Sequence, residues 1–515
     1  MKKRRQWMAL ALAGLMSLAG CGDLAAQVTD TPAASATPTP TALPAEELEF
    51  ALPCYPGGGF HPITGTNRLN LTLAPLLYRG LFALDRNFVP QKDLCVDYEV
   101  SEDGLTWTLT LKEDTFSNGA ALTAAEVVSS LNAARQSDRY GGRLEDVIRV
   151  RAQGEDKVEV TLSRPNGALP ALLDVPIVRE GEDPQRPLGT GPYYLDEGEE
   201  GLFLSAREGA AVPRQRVELR TVGSSDELVY AFDTREISLV DTDLTGTNMP
   251  GYSGRQETAD YPTTGLLYVG CNTASGACRE EAVRQAVALA FDRETIVREI
   301  LLGHATASAL PIHPNGAGYD SERAGALACD REKALELLTG AGWSADEEGK
   351  LAKWRNRLTL RLIVNQENVY KVAVAAALRD ALEEMGCTVT LTKLPWDDFV
   401  SALERGQFDL YLGESILTAD FDLEDLLGSG GSLNYGRYAD RETDRLLEEY
   451  RAAAGEAREE AASALWARLE ETVPLVTLCF KNGSLLTQWG QVRGAEPTQR
   501  DVFAGLENWS VTGGE

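Results

Sequence analysis

Histidine is scarce: the 515 residues include three, His61, His304 and His313, and no pair stands at HxH or HxxxH spacing. A metal site built on imidazoles is therefore not indicated. The chain also has no Gly-x-Ser-x-Gly elbow and no phosphate-cradling loop. Gly428-Ser429-Gly430-Gly431 follows a helical run without the lysine such a cradle needs, and it reads as a flexible turn. With no nucleophile, base and orienting group in a usable set, the sequence argues against an enzyme and for no cofactor. Basic residues are in deficit, 49 Lys and Arg against 78 Asp and Glu, for a formal charge of −29. That field repels phosphate backbones, so nucleic acid is not an expected partner.

Long apolar runs are missing too, except at the start. Met1 is followed by Lys2, Lys3, Arg4 and Arg5, then by an apolar stretch from Trp7 to Ala19, too short to span a bilayer and laid out as a signal peptide over residues 1–20. The stretch ends in Leu18-Ala19-Gly20-Cys21, which resembles the lipid-attachment site of bacterial lipoproteins; the resemblance implies that Cys21 becomes the lipidated first residue of the mature chain. Such a lipid anchors without spanning. Removing the leader's four basic residues takes the formal charge from −29 to −33. Residues 21–46 are dominated by Ala, Thr and Pro and read as a disordered tether, so the folded part is expected to start near Glu47.

Seven cysteines remain beyond Cys21, an odd number with no CxxC spacing, so at least one thiol is free. Cys271 and Cys278 could close a small loop. Cys387 and Cys479 sit in apolar, strand-like runs and read as small buried hydrophobes.

What remains is long enough, and at 43% hydrophobic apolar enough, for a multi-domain α/β protein. Trp107, Leu109 and Leu111 alternate with threonines as in a half-buried strand; Thr123-Ala124-Ala125-Glu126 reads as a capping box opening a helix; Val158, Val160 and Leu162 alternate again. Ala282 to Phe291 reads as a helix, with Asp292 capping the next one up to Gly303. Val369 to Met385 reads as a helix stopped by Gly386, followed by a strand over Cys387, Val389 and Leu391, a helix starting at Asp397 or Asp398, and a short buried strand from Phe408 to Leu412. Strands alternating with helices argue for a parallel or mixed sheet whose clefts open at strand ends or between domains.

Several segments together resemble the extracellular solute-binding proteins of the oligopeptide, dipeptide and nickel ABC importers (family 5). They are Leu76-Leu77-Tyr78-Arg79-Gly80-Leu81-Phe82, Tyr98 to Leu109, Phe116-Ser117-Asn118-Gly119, Leu122 to Val128, Gly189-Thr190-Gly191-Pro192-Tyr193, Arg284 to Arg293, Ala334 to Leu338 and Gly406 to Leu410. The resemblance implies a two-lobed, periplasmic-binding-protein-like α/β fold of class II, peptide-binding type, with an extra subdomain. Residues 47–62, 188–264 and 485–515 would form lobe I, 63–187 the extra subdomain, and 265–484 lobe II, with crossings near Thr264-Gly265-Leu266 and Gly483-Ser484.

By the same resemblance the protein is a lipid-anchored monomer on the outer side of the bacterial cell membrane that captures a peptide-like ligand by lobe closure and delivers it to an ABC permease. A non-peptide solute (an opine, an oligosaccharide or a metal chelate) and a sensory or adhesive role without transport are the alternatives. Peptide-binding members hold the ligand's α-amino group with an acidic residue after the strand that ends in Phe-Asp; Thr418-Ala419-Asp420-Phe421-Asp422 stands there, so Asp420 is the implied ammonium contact, with Asp422 as the alternative. This chain departs from the pattern in having Leu423 and Glu424 where a Pro is often found. On the residues alone Asp420 reads as a helix cap before Leu423, Leu426 and Leu427. Trp396, Asn434 and Tyr435 resemble pocket-lining positions, against plain packing for the first and a turn for the others. Tyr55, beside Pro56-Gly57-Gly58-Gly59, is placed at the cleft mouth, against loop chemistry.

Overall fold

Ala51–Cys54 is a short strand with every residue buried, and its partners lie far along the chain. It runs parallel to Arg216–Thr221, which pairs antiparallel with Gly201–Ala206, which in turn pairs with Tyr193–Gly198. The computed structural model describes residues 49–181 and 183–512; the leader, Cys21 and the tether lie outside the described residues. Among the described residues no helix is long and apolar enough to cross a membrane.

A second, antiparallel sheet has the order Cys95–Val100, Thr106–Leu111, Lys157–Leu162, Val147–Ala152. Trp107 and Leu109 stand opposite Val160 and Val158 and all four are buried, as strict alternation requires. Ala124–Arg135 packs beside them. Its capping box is complete: Thr123 accepts from Ala125 N, and the Glu126 carboxylate takes Thr123 N at 3.1 Å.

The third sheet is built on two long strands, Gln256–Cys271 and Leu475–Gln488, which pair antiparallel with a register shift between Pro262 and Gly265. On one side of that shift Leu239–Thr242 pairs with residues 484–487. On the other side Leu410–Ile416 pairs antiparallel with residues 265–271, then Thr359–Asn365 and Thr388–Leu394 continue the sheet in parallel. At the shift Thr264 is fully buried: its hydroxyl donates to Leu417 O at 2.6 Å and accepts from Gln499 Nε2 at 3.0 Å.

Apolar burial separates along the same line. The largest cluster draws on residues from Phe50 to Tyr261 and from Leu485 to Trp509, whereas two others are built from residues between Leu266 and Phe480. Phe88 is the one exception in these clusters, a residue from the first part of the chain buried with Leu266, Tyr268, Phe421 and Phe480.

Helix Val369–Glu384 ends before Gly386, whose φ of +91° no side chain tolerates easily, so that stop follows the expected rule. Three details depart from expectation. The helix placed at Asp397 or Asp398 is Trp396–Arg405: Pro395 occupies the cap and both acids lie in the first turn, where they favour the positive helix end. The strand placed at Phe408–Leu412 is Leu410–Ile416, and just before it the Asp409 carboxylate accepts from Arg361 N and Nε at 2.9 Å. Gly428-Ser429-Gly430-Gly431 is a held loop, with Ser429 N and Oγ bound by Asp444 at 2.8 and 2.7 Å. The seven cysteines of the described residues are thiols, six buried and Cys329 exposed.

Candidate ligand-binding site

The strand Leu410–Ile416 delivers the chain to a tight turn. Leu417 N donates to Thr264 O at 3.0 Å and Phe421 N to Thr418 O at 3.0 Å. Phe421 sits in the left-handed region, φ +53°, a costly place for an aromatic residue, and is held there by rings of Phe88 at 5.1 Å and Phe480 at 6.0 Å. Asp420 and Asp422 flank this clamped residue in the chain.

Asp420 is 5% exposed. Its carbonyl accepts from Arg458 Nη2 at 2.6 Å and Tyr450 Oη at 3.2 Å, which fixes the backbone. One carboxylate oxygen accepts from Asn166 Nδ2 at 3.1 Å; the other, Oδ1, is buried without a hydrogen-bond partner. An unsatisfied, buried carboxylate oxygen is expensive unless something arrives to bind it. Asp420 is not the helix cap. Leu423 holds the N-cap position of Glu424–Leu427 with no side-chain cap bond, and the Asp422 carboxylate closes a local turn, its Oδ1 accepting from Glu424 N at 2.8 Å. Burial, and next the neighbouring charge of Asp420, push the Asp422 carboxyl up to about 6.

Asn166 comes from a turn 254 residues away in sequence from Asp420. Gly167 N donates to Arg451 O at 2.9 Å, and a Cβ on Gly167 would lie 2.1 Å from Ala453 O, so only glycine permits this approach. Arg164 joins the same contact through Glu424, at 2.5 Å, and Arg451 also binds Glu424.

A cavity of about 470 Å³ opens here, lined by Arg143, Arg164, Asn166, Ser415, Ile416, Thr418, Asp420 and Asp422 among others. A second, of about 560 Å³, is lined by Arg68, Arg139, Asp241, Asp243, Tyr261, Glu414, Lys481 and Arg500 among others. Ile416, 76% exposed, lines both. In the second cavity the carboxylates are engaged: Tyr261 Oη donates to Asp241 at 2.5 Å, Lys481 Nζ to Asp243 at 2.5 Å, and Glu414 pairs at 2.7 Å with Lys371 from outside the lining. Among the described residues no group of three or more His, Cys, Asp and Glu is placed to hold a metal.

Of the positions singled out from sequence, Asp420 and Asp422 come together in the first cavity, and the others line neither cavity. Trp396 is the first residue of its helix, 58% exposed, with its ring against Phe399 at 6.2 Å. Asn434 ties a turn, donating to Gly428 O at 2.9 Å and Tyr438 O at 2.7 Å, and Tyr435 packs against Tyr411. Tyr55 N donates to Asn70 Oδ1 at 2.7 Å in a loop that Asn70 also secures through Gly58 O at 2.8 Å. Asn166 and Arg143 were missed. Arg164-Pro165-Asn166-Gly167 carries a turn signal, but nothing local marks it as part of a cleft.

A sheet built on two long paired strands, and a cavity lined from both parts of the chain, belong to a two-lobed α/β fold. The chain belongs to family 5 of the bacterial extracellular solute-binding proteins, whose middle-region model matches residues 89–432. It is 22% identical over 493 residues, 87% of this chain and 89% of the relative, to the oligopeptide-binding protein AppA of Bacillus subtilis. It is 24% identical over 340 residues, 62% of this chain and 66% of the relative, to the glutathione-binding protein GsiB of Salmonella typhimurium. The solved structure of Bacillus subtilis AppA in complex with a nonapeptide shares the fold, with a TM-score of 0.59 at 20% identity over 90% of this chain and 99% of that one.

Proposed function

We propose that this protein captures a peptide-like solute outside the cytoplasmic membrane and hands it to an ABC importer, with Asp420 receiving the ligand's α-ammonium group. The observation that carries the reading is the buried Asp420 oxygen without a hydrogen-bond partner, on a carboxylate steadied by Asn166 and lining the cavity. A ligand ammonium there gains a charge-assisted hydrogen bond in a poorly hydrated site. The names of AppA and GsiB, peptide binders both, favour the same solute class.

In this reading residues 47–62, 188–264 and 485–515 form lobe I, 63–187 the extra subdomain and 265–484 lobe II; the apolar clusters support the separation of the first two from the third, since one cluster runs through both lobe I and the subdomain. The strand crossings at Thr264-Gly265 and Gly483-Ser484 serve as the hinge. A ligand touching both lobes binds the closed state better than the open one, and that difference shifts the population towards the form a permease recognises. The protein acts as a monomer tethered by lipid on Cys21.

A thermal-shift screen against peptides, sugars and metal chelates tests the solute class, since a ligand that binds only the native state raises the melting temperature by mass action. Stabilisation by peptides is expected; stabilisation by sugars or chelates alone would contradict the peptide assignment.

A further inference from the structure

Arg143 projects from the single turn Gly142–Leu144 into the lining of the cavity that holds Asp420. Its side chain is only 8% exposed. One guanidinium nitrogen, Nη1, pairs with Asp174 at 2.6 Å, and the group lies 4.5 Å over the Tyr140 ring. Nε and Nη2 are buried without a hydrogen-bond partner. Asp174, 4% exposed, cannot neutralise this site alone, because its other oxygen pairs with Arg500 at 3.0 Å: one carboxylate serves two guanidiniums. An arginine keeps its charge when buried, so the surplus positive charge and the two idle donors call for an anion.

The other guanidinium of the lining is already committed. Arg164 binds Asp146 at 2.8 Å and Glu424 at 2.5 Å. The cavity thus carries one unsatisfied buried acceptor, Asp420 Oδ1, and one unsatisfied buried donor fork, on Arg143. They come from opposite parts of the chain, and at about 470 Å³ the space is of small-molecule size.

We infer that Arg143 binds the anionic end of the ligand whose ammonium end meets Asp420, so that the preferred solute is a short zwitterion such as a di- or tripeptide with both termini free. The inference rests on the ammonium role of Asp420. Asp174 is then a positioning residue, holding the Arg143 guanidinium at the cavity lining, with Arg500 holding Asp174. A ligand with one blocked end satisfies one half of the site and leaves the other charge buried and unpaired, and this selects against long peptides whose carboxylate lies far from the ammonium.

The test is isothermal titration of the full-length protein with trialanine, trialanine amide and N-acetyl-trialanine, repeated on Arg143→Gln and, as a fold-preserving alternative, on the double variant Arg143→Gln/Asp174→Asn, which removes both members of the pair. Expected for the native protein is a loss of at least about tenfold on amidation and a comparable loss on acetylation. In the Arg143 variants the acid and the amide bind alike, while acetylation still costs affinity. If the native protein loses affinity on acetylation but not on amidation, the ammonium reading stands and the role of Arg143 is overturned. If amidation costs the Arg143 variants as much as the native protein, the role is overturned too. If none of the three tripeptides binds, both readings fall together.

Discussion

Phe88 and Phe421 meet edge to face with ring centroids 5.1 Å apart, and both stand on left-handed backbone, at φ +63° and +53°. Phe88 sits at the tip of a turn organised by Asp85, whose carboxylate accepts from Asn87 N at 2.8 Å and Val89 N at 3.0 Å. Two strained residues from distant parts of the chain hold each other in place, and one of them lies between Asp420 and Asp422 in the chain. Strain of this kind persists only where the surroundings over-determine it.

Replacing Phe88 with Ala removes a fully packed ring from the cluster around Phe480 and should cost about 3–5 kcal/mol of stability, measured by denaturant unfolding. Because Phe421 loses its clamp, ligand affinity should fall as well. Phe88→Leu, which keeps most of the volume, should recover the larger part of both.

Burial, and next the charge of Asp420, push the Asp422 carboxyl up to about 6, above the ordinary carboxylate range, so its charged form is disfavoured in the folded protein. The folded state therefore holds this proton more tightly than the unfolded chain. The charge costs nothing at low pH, begins to cost as pH rises past about 4, and costs in full above about 6. Asp422→Asn, which can still accept from Glu424 N, should stabilise the ligand-free protein at pH 7 by about 1–3 kcal/mol and leave it unchanged near pH 4. In the native protein, affinity for a cationic ligand group should rise between pH 5 and pH 7 as Asp422 ionises, and calorimetric titrations at the two pH values check this.

Cys21→Ser removes the thiol to which the proposed function assigns the lipid. The variant should leave the membrane fraction and appear in the soluble one, read by fractionation and immunoblot; unchanged membrane retention would contradict the anchor.

Much of the fold was legible because its signals are local. The box at Thr123 and Glu126, the glycine stop at Gly386 and the alternation of Trp107, Leu109 and Leu111 each involve neighbours a few residues apart. Asp420, singled out by its place after a strand of known motif, lines the cavity; its role there is the proposal. Trp396, singled out as a pocket-lining position, stands as the first residue of its helix and faces solvent, because Pro395 takes the cap. Asn166 and Arg143 could not be read at all. Their part in the cavity depends on how a turn and a single helical turn dock against segments more than two hundred residues away, and no periodicity or spacing within either segment encodes that contact.

The most direct test of the account compares native protein and Asp420→Asn in calorimetric titrations with a free tripeptide and its N-acetylated form. The asparagine keeps the shape and can still accept from Asn166, so the loss is confined to charge. The account predicts that the variant binds the free peptide at least about tenfold more weakly and the acetylated peptide almost as the native protein does. Equal losses for the two peptides, or no loss for either, would contradict it.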